Sequence, residues 1–212
     1  MIRRAIDIVV SVSSLLLAAP LLGGVAALLF FTQGQPIIFR QRRAGKDGVR
    51  FDMLKFRTML PQAEQQGGSL TFQADPRITP TGAFLRNYKL DELPQLVNVL
   101  RGEMTLIGPR PEVLDWVARY TTEQKLVLSV KPGLTDPVQL TFRNEQKFLA
   151  SAQEYEQLYM VKVAKQLQYI DTRSFLSDVL VAVSTLKAIF SRSVGEEERA
   201  VYSAIKDKVS SV

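Results

Sequence analysis

The chain has no cysteine and no histidine among its 212 residues. The first absence excludes a disulfide framework and a thiolate zinc site. The second removes the Ser-His-Asp and Cys-His nucleophile classes together. Any acid–base or nucleophilic chemistry must use carboxylates, lysine, tyrosine or hydroxyls, with a metal or arginines to stabilise charge. Two large domains are also excluded by length; one catalytic domain plus a membrane segment fits. No internal repeat is found. The net charge of +6 suits an anionic partner: nucleic acid, anionic lipid headgroups or phosphorylated substrates.

Charge is scarce at the N-terminus, where Asp7 is the only charged residue from Ala5 to Phe31. As a straight helix this stretch would be about 40 Å long, more than the roughly 30 Å hydrocarbon core of a bilayer. Its flanks are basic on both sides: Arg3 and Arg4 before it, then Arg40, Arg42, Arg43, Lys46 and Arg50 after it. A spanning helix concentrates lysine and arginine on its cytoplasmic side only. Pro20, near the middle, removes a backbone donor and clashes with the preceding turn. The expectation is a helix broken at Pro20 that enters and leaves by one face. The competing readings are a kinked single span and a signal peptide, but no small-x-small cleavage site ends the stretch.

Beyond Gln33 the pattern predicts an α+β catalytic domain, mostly helical, over residues 34–192, following an anchor at 1–33 and preceding a polar tail at 193–212. Pro36 to Phe39 and Val49 to Phe56 bracket a basic, glycine-rich stretch and read as a short β-hairpin. Residues 61–80 read as a loop, with Gly67-Gly68 suggesting mobility near a site, and Thr81 as the cap of a short helix through Tyr88. Leu93, Leu96, Val97 and Leu100 follow i, i+3, i+4, i+7, an amphipathic helix from Asp91 that Gly102 ends. A further helix is expected from Pro111 to Tyr120, a turn at Lys131-Pro132-Gly133, and helices at 145–170 and 172–192. The last presents Phe175, Leu176, Val179, Leu180, Val183, Leu186 and Phe190, a face that either closes the core or lies at a membrane interface. The core is the expected place for most of these positions.

Three clusters carry possible chemistry. In Lys89-Leu90-Asp91-Glu92-Leu93-Pro94-Gln95, two adjacent carboxylates stand at an expected helix start, where they could hold Mg²⁺ or attack phosphorus. The alternative is an N-cap at Asp91 beside a first-turn acid at Glu92. In Gly108-Pro109-Arg110-Pro111, two prolines stiffen a loop, so Arg110 loses little entropy on pairing with a phosphate. A structural proline turn with a solvated arginine is the alternative. Lys55 and Arg57, in Lys55-Phe56-Arg57-Thr58-Met59, read by default as part of a half-buried strand. Asp75-Pro-Arg77 and Arg86 add candidates for pairing with phosphate or with the two carboxylates.

Taken in order, these and their neighbours form a pattern. Phe39-x-Gln-x-Arg-x-Gly, Lys55-Phe-Arg-Thr-Met, Asp75-Pro-Arg-Ile-Thr, Gly82-x-Phe-Leu-Arg86, Leu90-Asp-Glu-Leu-Pro-Gln, Asn98-Val-Leu-x-Gly, Gly108-Pro-Arg-Pro and Lys131-Pro-Gly-Leu-Thr135 closely resemble the bacterial sugar transferase family, the monotopic phosphoglycosyl transferases. The resemblance covers roughly residues 1–190. It implies an enzyme held in the cytoplasmic leaflet of a bacterial inner membrane by a re-entrant helix and interfacial helices. It further implies an Asp-Glu dyad with Mg²⁺ and a phosphosugar–enzyme intermediate. Asp91 matches the nucleophile, Glu92 its partner, both as metal ligands, and Arg110 the arginine that contacts substrate phosphate or nucleotide. Lys55, Arg57, Arg86, Pro109 and Pro111 join it as expected substrate-binding residues.

This chain departs from the family pattern twice. Ala19-Pro20 stands where the family often has Ser-Pro, and Thr135-Asp136-Pro137 with Phe142-Arg143-Asn144-Glu145 replaces a common Thr-Gly and Gln-Val-x-Gly-Arg pattern. The implied reaction takes a UDP-sugar and polyprenyl phosphate to polyprenyl-diphosphate-sugar and UMP, the first membrane step in assembling a surface glycan or glycoconjugate. Its rivals are a glycosyltransferase that releases UDP and a non-catalytic membrane scaffold. A nucleic-acid partner is not expected, because no recognised nucleic-acid-binding motif accompanies the positive charge. The sugar, the lipid length and the oligomeric state are not specified by these residues.

Overall fold

The computed structural model describes residues 2–63, 65, 68, 71, 74–149, 151–190 and 195–210. Helix α1 (Ile2–Gln33) contains Pro20 and remains helical on both sides of it, as one element. One narrow stripe of α1 is covered, running from Asp7 through Ser11, Ala18, Leu22 and Val25 to Leu29. The opposite side is bare: Leu16, Leu17 and Phe31 are 71, 83 and 84 % exposed. At about 100° per residue, Pro20 stands opposite the covered stripe.

Both ends of α1 are tied to the same body. Near its start, Arg4 donates from Nη2 to the Leu100 carbonyl at 2.7 Å, and Asp7 accepts from Thr105 Oγ1 at 2.8 Å and from the Leu106 amide at 3.0 Å. At its end, Arg57 donates from Nη2 to the Gln33 carbonyl and, at 3.0 Å, to the Gly34 carbonyl. These last-turn carbonyls have no partner within the helix, so a buried guanidinium answers them.

The hairpin joins β1 (Ile38–Ala44) to β2 (Arg50–Phe56), antiparallel, with Ile38 opposite Phe56 and Ala44 opposite Arg50. It is longer than expected, because the chain turns only after Gly45. Asp47 and Gly48 take the positive φ angles (55° and 76°) that close it. Arg42 and Arg43 therefore lie in strand rather than at the tip. Helix α2 (Pro80–Asn87) is capped by Thr79, not Thr81: Thr79 Oγ1 accepts from the Gly82 amide at 2.9 Å. Pro80 suits the first helical position, so the cap must precede it. Gly82 is required there, since a Cβ would overlap the Thr58 backbone. In the 61–80 loop, Leu60 and Arg77 pair through the backbone and Met59 bridges to Ile78. Gly67 lies outside the described residues.

The helix expected from Asp91 is two pieces: a 3₁₀ turn (Leu90–Glu92) and α3 (Gln95–Arg101), which Gly102 ends with φ 80°. The sequence pattern missed a parallel pair, β3 (Thr105–Ile107) with β4 (Gly133–Thr135). Three residues are too few for alternation to register. Gly108 and Gly133 approach so closely that a Cβ on either would meet the other's backbone. The helix expected at 111–120 shortens to α4 (Leu114–Val117), since Pro111 and Glu112 are held extended against Arg43 and Ala44. A 3₁₀ segment (Gln124–Ser129), α5 (Pro137–Thr141), α6 (Glu145–Phe148) and α7 (Ala152–Thr172) follow. The expected helix at 145–170 is thus interrupted, and Ser151 caps α7 by accepting from the Glu154 amide.

Helix α7 forms the main core with Trp116, Tyr120, Phe142, Tyr155 and Tyr159. Trp116 lies 5.1 Å, centroid to centroid, from both Tyr155 and Tyr159. The residues expected as a polar tail include α9 (Glu196–Ser210), whose Tyr202 and Ile205 enter this core. The segment is charged overall, but these two apolar residues, three positions apart, share one face of the helix. On α8 (Phe175–Phe190) the core expectation is reversed: Phe175, Leu176, Val179, Leu180, Val183 and Leu186 are all exposed, while Asp178 and Val181 are buried. The Phe190 side chain lies outside what is described. Periodicity finds an apolar face but does not say whether protein or lipid covers it.

Candidate functional site

The chain leaves α2 through Lys89, whose φ of 57° lies in the sparsely populated left-handed region, and turns sharply into Leu90–Glu92. This turn places Asp91 and Glu92 at the floor of a cavity of about 1430 Å³ that Lys55, Arg57, Arg86 and Arg110 also line. Asp91 is 6 % exposed. It is not an N-cap, for its carboxylate accepts no backbone hydrogen bond, and Oδ1 is buried with no partner. Its remaining exposure is towards the cavity.

Glu92 has the opposite surroundings. Arg110 Nη2 donates to Oε1 at 2.7 Å, Lys55 Nζ reaches the same oxygen at 3.4 Å, and Arg110 Nη1 lies 3.4 Å from Oε2. Burial pushes Asp91 up from the usual carboxylate range, and the adjacent Glu92 charge adds to this. Burial also acts upward on Glu92, but Arg110 and Lys55 overcome it and hold that carboxyl well below its ordinary value. Two neighbouring carboxylates are thus driven apart, the pattern of paired groups with different tasks. Lys55 is lowered to about 8, because burial outweighs the pull of Glu92.

Arg110 is aimed by its loop. Its amide donates to Asp136 Oδ2 at 2.9 Å, and the Gln139 side chain, with its amide turned to suit its neighbours, accepts from Nη1 at 2.6 Å. Asp136, fully buried, also caps α5 by accepting from the Gln139 amide at 2.7 Å. Here the departure Thr135-Asp136-Pro137 acquires a physical role: one carboxylate fixes both the arginine loop and the helix behind it. Pro109 and Pro111 do not line the large cavity. Their carbonyls accept from the Gly133 amide and Arg43 Nη1, so they shape the loop that carries Arg110.

The other expected residues divide. Arg86 lines the cavity, donating to Thr58 Oγ1 at 2.9 Å from Nε. Arg57 lines it too, yet Nη2 is committed to the end of α1, so its main task is to hold that helix. Arg77 pairs with Asp75 at 2.7 Å and binds the Ala63 and Gly68 carbonyls, which pins the loop above the cavity rather than reaching the carboxylates.

Sequence reasoning missed Arg43, Glu145 and Lys162 as site residues. Arg43 is buried and held by Gln41 at 2.6 Å and Glu112 at 3.1 Å. The signal was available in β1, where Gln41 and Arg43 share the inward face of an alternating strand. Lys162 and Glu145 form a 2.7 Å ion pair in the cavity wall. They are 17 positions apart, and nothing local links them.

For a divalent cation, the oxygens available are the cavity side of Asp91 and Glu92 Oε2, which takes only the longer 3.4 Å contact from Arg110. No group of three or more acidic residues able to hold a metal occurs among the described residues. An ion here would complete its shell from water and bound phosphate, as Mg²⁺ commonly does, so the residues fit that metal.

The family model described as bacterial sugar transferase matches residues 1–192. The chain belongs to the bacterial sugar transferase family. It is 35 % identical over 204 residues to the exopolysaccharide production protein ExoY of Rhizobium meliloti, covering 89 % of this chain and 85 % of that one. It is 33 % identical over 190 residues to the UDP-glucose:undecaprenyl-phosphate glucose-1-phosphate transferase of Caulobacter vibrioides, covering 88 % and 69 %. The undecaprenyl-phosphate galactose phosphotransferase of Salmonella typhimurium is 32 % identical over 209 residues, 90 % of this chain and 41 % of that longer protein. As a bacterial sugar transferase the chain is an enzyme, and the cavity around Asp91 is its candidate active site.

Proposed function

We propose that this enzyme transfers a sugar 1-phosphate from a UDP-sugar to undecaprenyl phosphate at the cytoplasmic face of a bacterial inner membrane, through a covalent intermediate on Asp91. One observation carries the reading: a buried carboxylate with an unpartnered oxygen stands beside a second carboxylate neutralised by Arg110 and Lys55. In the first step an Asp91 oxygen attacks the sugar-bearing phosphorus of the donor. An acyl-phosphate bond forms, the bond from that phosphorus to the bridging oxygen breaks, and UMP leaves with the electron pair. In the second step a lipid-phosphate oxygen attacks the same phosphorus and Asp91 departs as carboxylate. Desolvation makes Asp91 the more basic of the pair, which favours attack. Arg110, fixed by Glu92, Asp136 and Gln139, is positioned to meet phosphate charge without reorganisation. Mg²⁺ held by Asp91 and Glu92 would neutralise the diphosphate and stabilise the leaving group. The cavity exceeds the roughly 300–1,000 Å³ usual for one small molecule, consistent with admitting donor and lipid phosphate in turn.

The membrane attachment follows the same reasoning. Both ends of α1 are bonded to the catalytic body, so a helix that dips into the leaflet and returns keeps these bonds, and a span breaks one set. The exposed face of α8 would lie at the interface. The reaction is tested with enzyme, donor and Mg²⁺ in the absence of lipid. UMP should appear in a burst equal to the active sites, and mass spectrometry should find the sugar phosphate on the Asp91 peptide. Asp91→Asn should abolish both. UMP release only with lipid phosphate, and no adduct, would mean direct transfer; UDP release would mean transfer of the sugar alone.

A further inference from the structure

Behind Asp91 lies a polar group that the mechanism above leaves without a task. Gln95 is completely buried and does not line the cavity, yet neither its Nε2 nor its Oε1 has a hydrogen-bond partner. Burying a carboxamide unpaired is costly, and such a group calls for a reason. Asp91, in the 3₁₀ turn, and Gln95, the first residue of α3, are four positions apart and both buried. The two pieces are joined by Leu93 and Pro94, which keep right-handed helical backbone angles, and the Leu93 and Leu96 amides each bond to the carbonyl three residues back. Asp91 Oδ1, also buried, lacks a donor. An orphaned donor and an orphaned acceptor thus stand on neighbouring turns.

The next turn shows what a polar side chain on this helix does when it is only structural. Asn98, fully buried like Gln95, spends its whole amide on backbone and side-chain partners: Oδ1 accepts from the Leu54 amide at 3.0 Å, and Nδ2 donates to the Asp52 carbonyl and to Glu103. Gln95 makes no such bond. We infer that Gln95 is a positioning residue for the nucleophile: its Nε2–H donates to Asp91 Oδ1, directly or through one ordered water, once donor is bound. Holding Oδ1 fixes the plane of the carboxylate and aims the cavity-side oxygen at phosphorus. A small error in that direction is expensive in rate.

This inference rests on the reading that Asp91 is the nucleophile. Gln95→Met keeps length and volume and removes the donor; Gln95→Glu keeps shape and replaces the donor by an oxygen that repels Asp91. Burst kinetics of UMP release are recorded without lipid at saturating UDP-sugar, alongside thermal unfolding and the donor concentration for half-maximal burst rate. Amplitude counts folded sites, so the rate constant is independent of any loss of folded enzyme. The expected result for Gln95→Met is a rate constant lowered about 10- to 100-fold, with the half-saturating donor concentration unchanged and the melting temperature equal or higher. Gln95→Glu should be slower still. A parental rate constant in either variant, or a loss in Gln95→Met that resides wholly in donor binding, overturns the positioning role and leaves Gln95 as packing. If the parent enzyme itself gives no burst and no Asp91 adduct, the nucleophile assignment has failed instead.

Discussion

Arg110 and the Glu145–Lys162 pair illustrate how single side chains gain their properties from burial. Arg110 spans both oxygens of Glu92 and the Gln139 side chain with one planar group. A lysine keeps the charge but supplies a single nitrogen, so it cannot hold Glu92 and remain aimed at phosphate. Arg110→Lys should lower the burst rate about 30- to 1,000-fold, the equivalent of about 2–4 kcal/mol; a variant that turns over like the parent would reduce Arg110 to a diffuse charge. Glu145 is raised by burial, yet Lys162 at 2.7 Å, with Arg110 and Lys89 farther off, outweighs this and lowers it overall. A lowered carboxyl contributes stability above its unfolded value, and loses it as pH falls through the folded value. In Lys162→Met only the burial effect and more distant charges remain, and Glu145 should move up. The folded protein then binds the proton more tightly than the unfolded chain, and stability falls as pH rises. The contribution of this pair should be level in the parent above about pH 5 and fall only at lower pH, whereas in the variant stability should decline as pH rises from about 5 to 7. The gap at pH 7 should be about 3 kcal/mol, the low end for a broken buried pair because Glu145 keeps 23 % of its side chain exposed.

At the scale of elements, α1 carries the topology. Its length and apolar character alone permit a span. Arg4 and Asp7 bond to α3 and β3, and Arg57 to Gln33, so both of its ends are joined to the same body, which supports the proposed re-entrant attachment. Cysteines placed at Ile2 and Lys46, both exposed, should react equally with an impermeant thiol reagent in sealed vesicles. Unequal labelling would make α1 a true span. Pro20→Leu combined with Asp7→Leu restores the backbone donor that proline lacks and removes the bonds to β3, and should move a measurable fraction of molecules to unequal labelling. Helix α8 shows the complementary case: Asp178 binds Tyr169 and Arg173 on its inner side, leaving the richest apolar stripe pointing outward.

For the whole molecule, the bare sides of α1 and α8 form the surface that water serves worst. Each fully exposed leucine returned to an apolar phase is worth about 1.5–3 kcal/mol. Leu180→Glu with Leu186→Glu should therefore weaken co-flotation with phospholipid vesicles by at least tenfold. Neither residue lines the cavity, so the donor half-reaction in detergent should persist. Retained flotation would leave α1 as the sole anchor.

Much of this was written locally in the chain. Missing cysteine and histidine, the basic flanks, the hairpin and the adjacent Asp91 and Glu92 are properties of neighbouring residues, and eight ordered motifs identified the family. What depended on distance was decided only by folding. Asp91 and Glu92 are alike in sequence, yet one is left desolvated and the other paired because Arg110 and Lys55, 18 and 37 positions away, direct their hydrogen bonds to Glu92. Arg57 and Arg86 are both motif arginines, but the end of α1 claims the first. The face of α8 gives the same lesson in reverse: apolar periodicity states that a stripe leaves water, and only the packing of Asp178 and Val181 inward assigns that stripe to the outside.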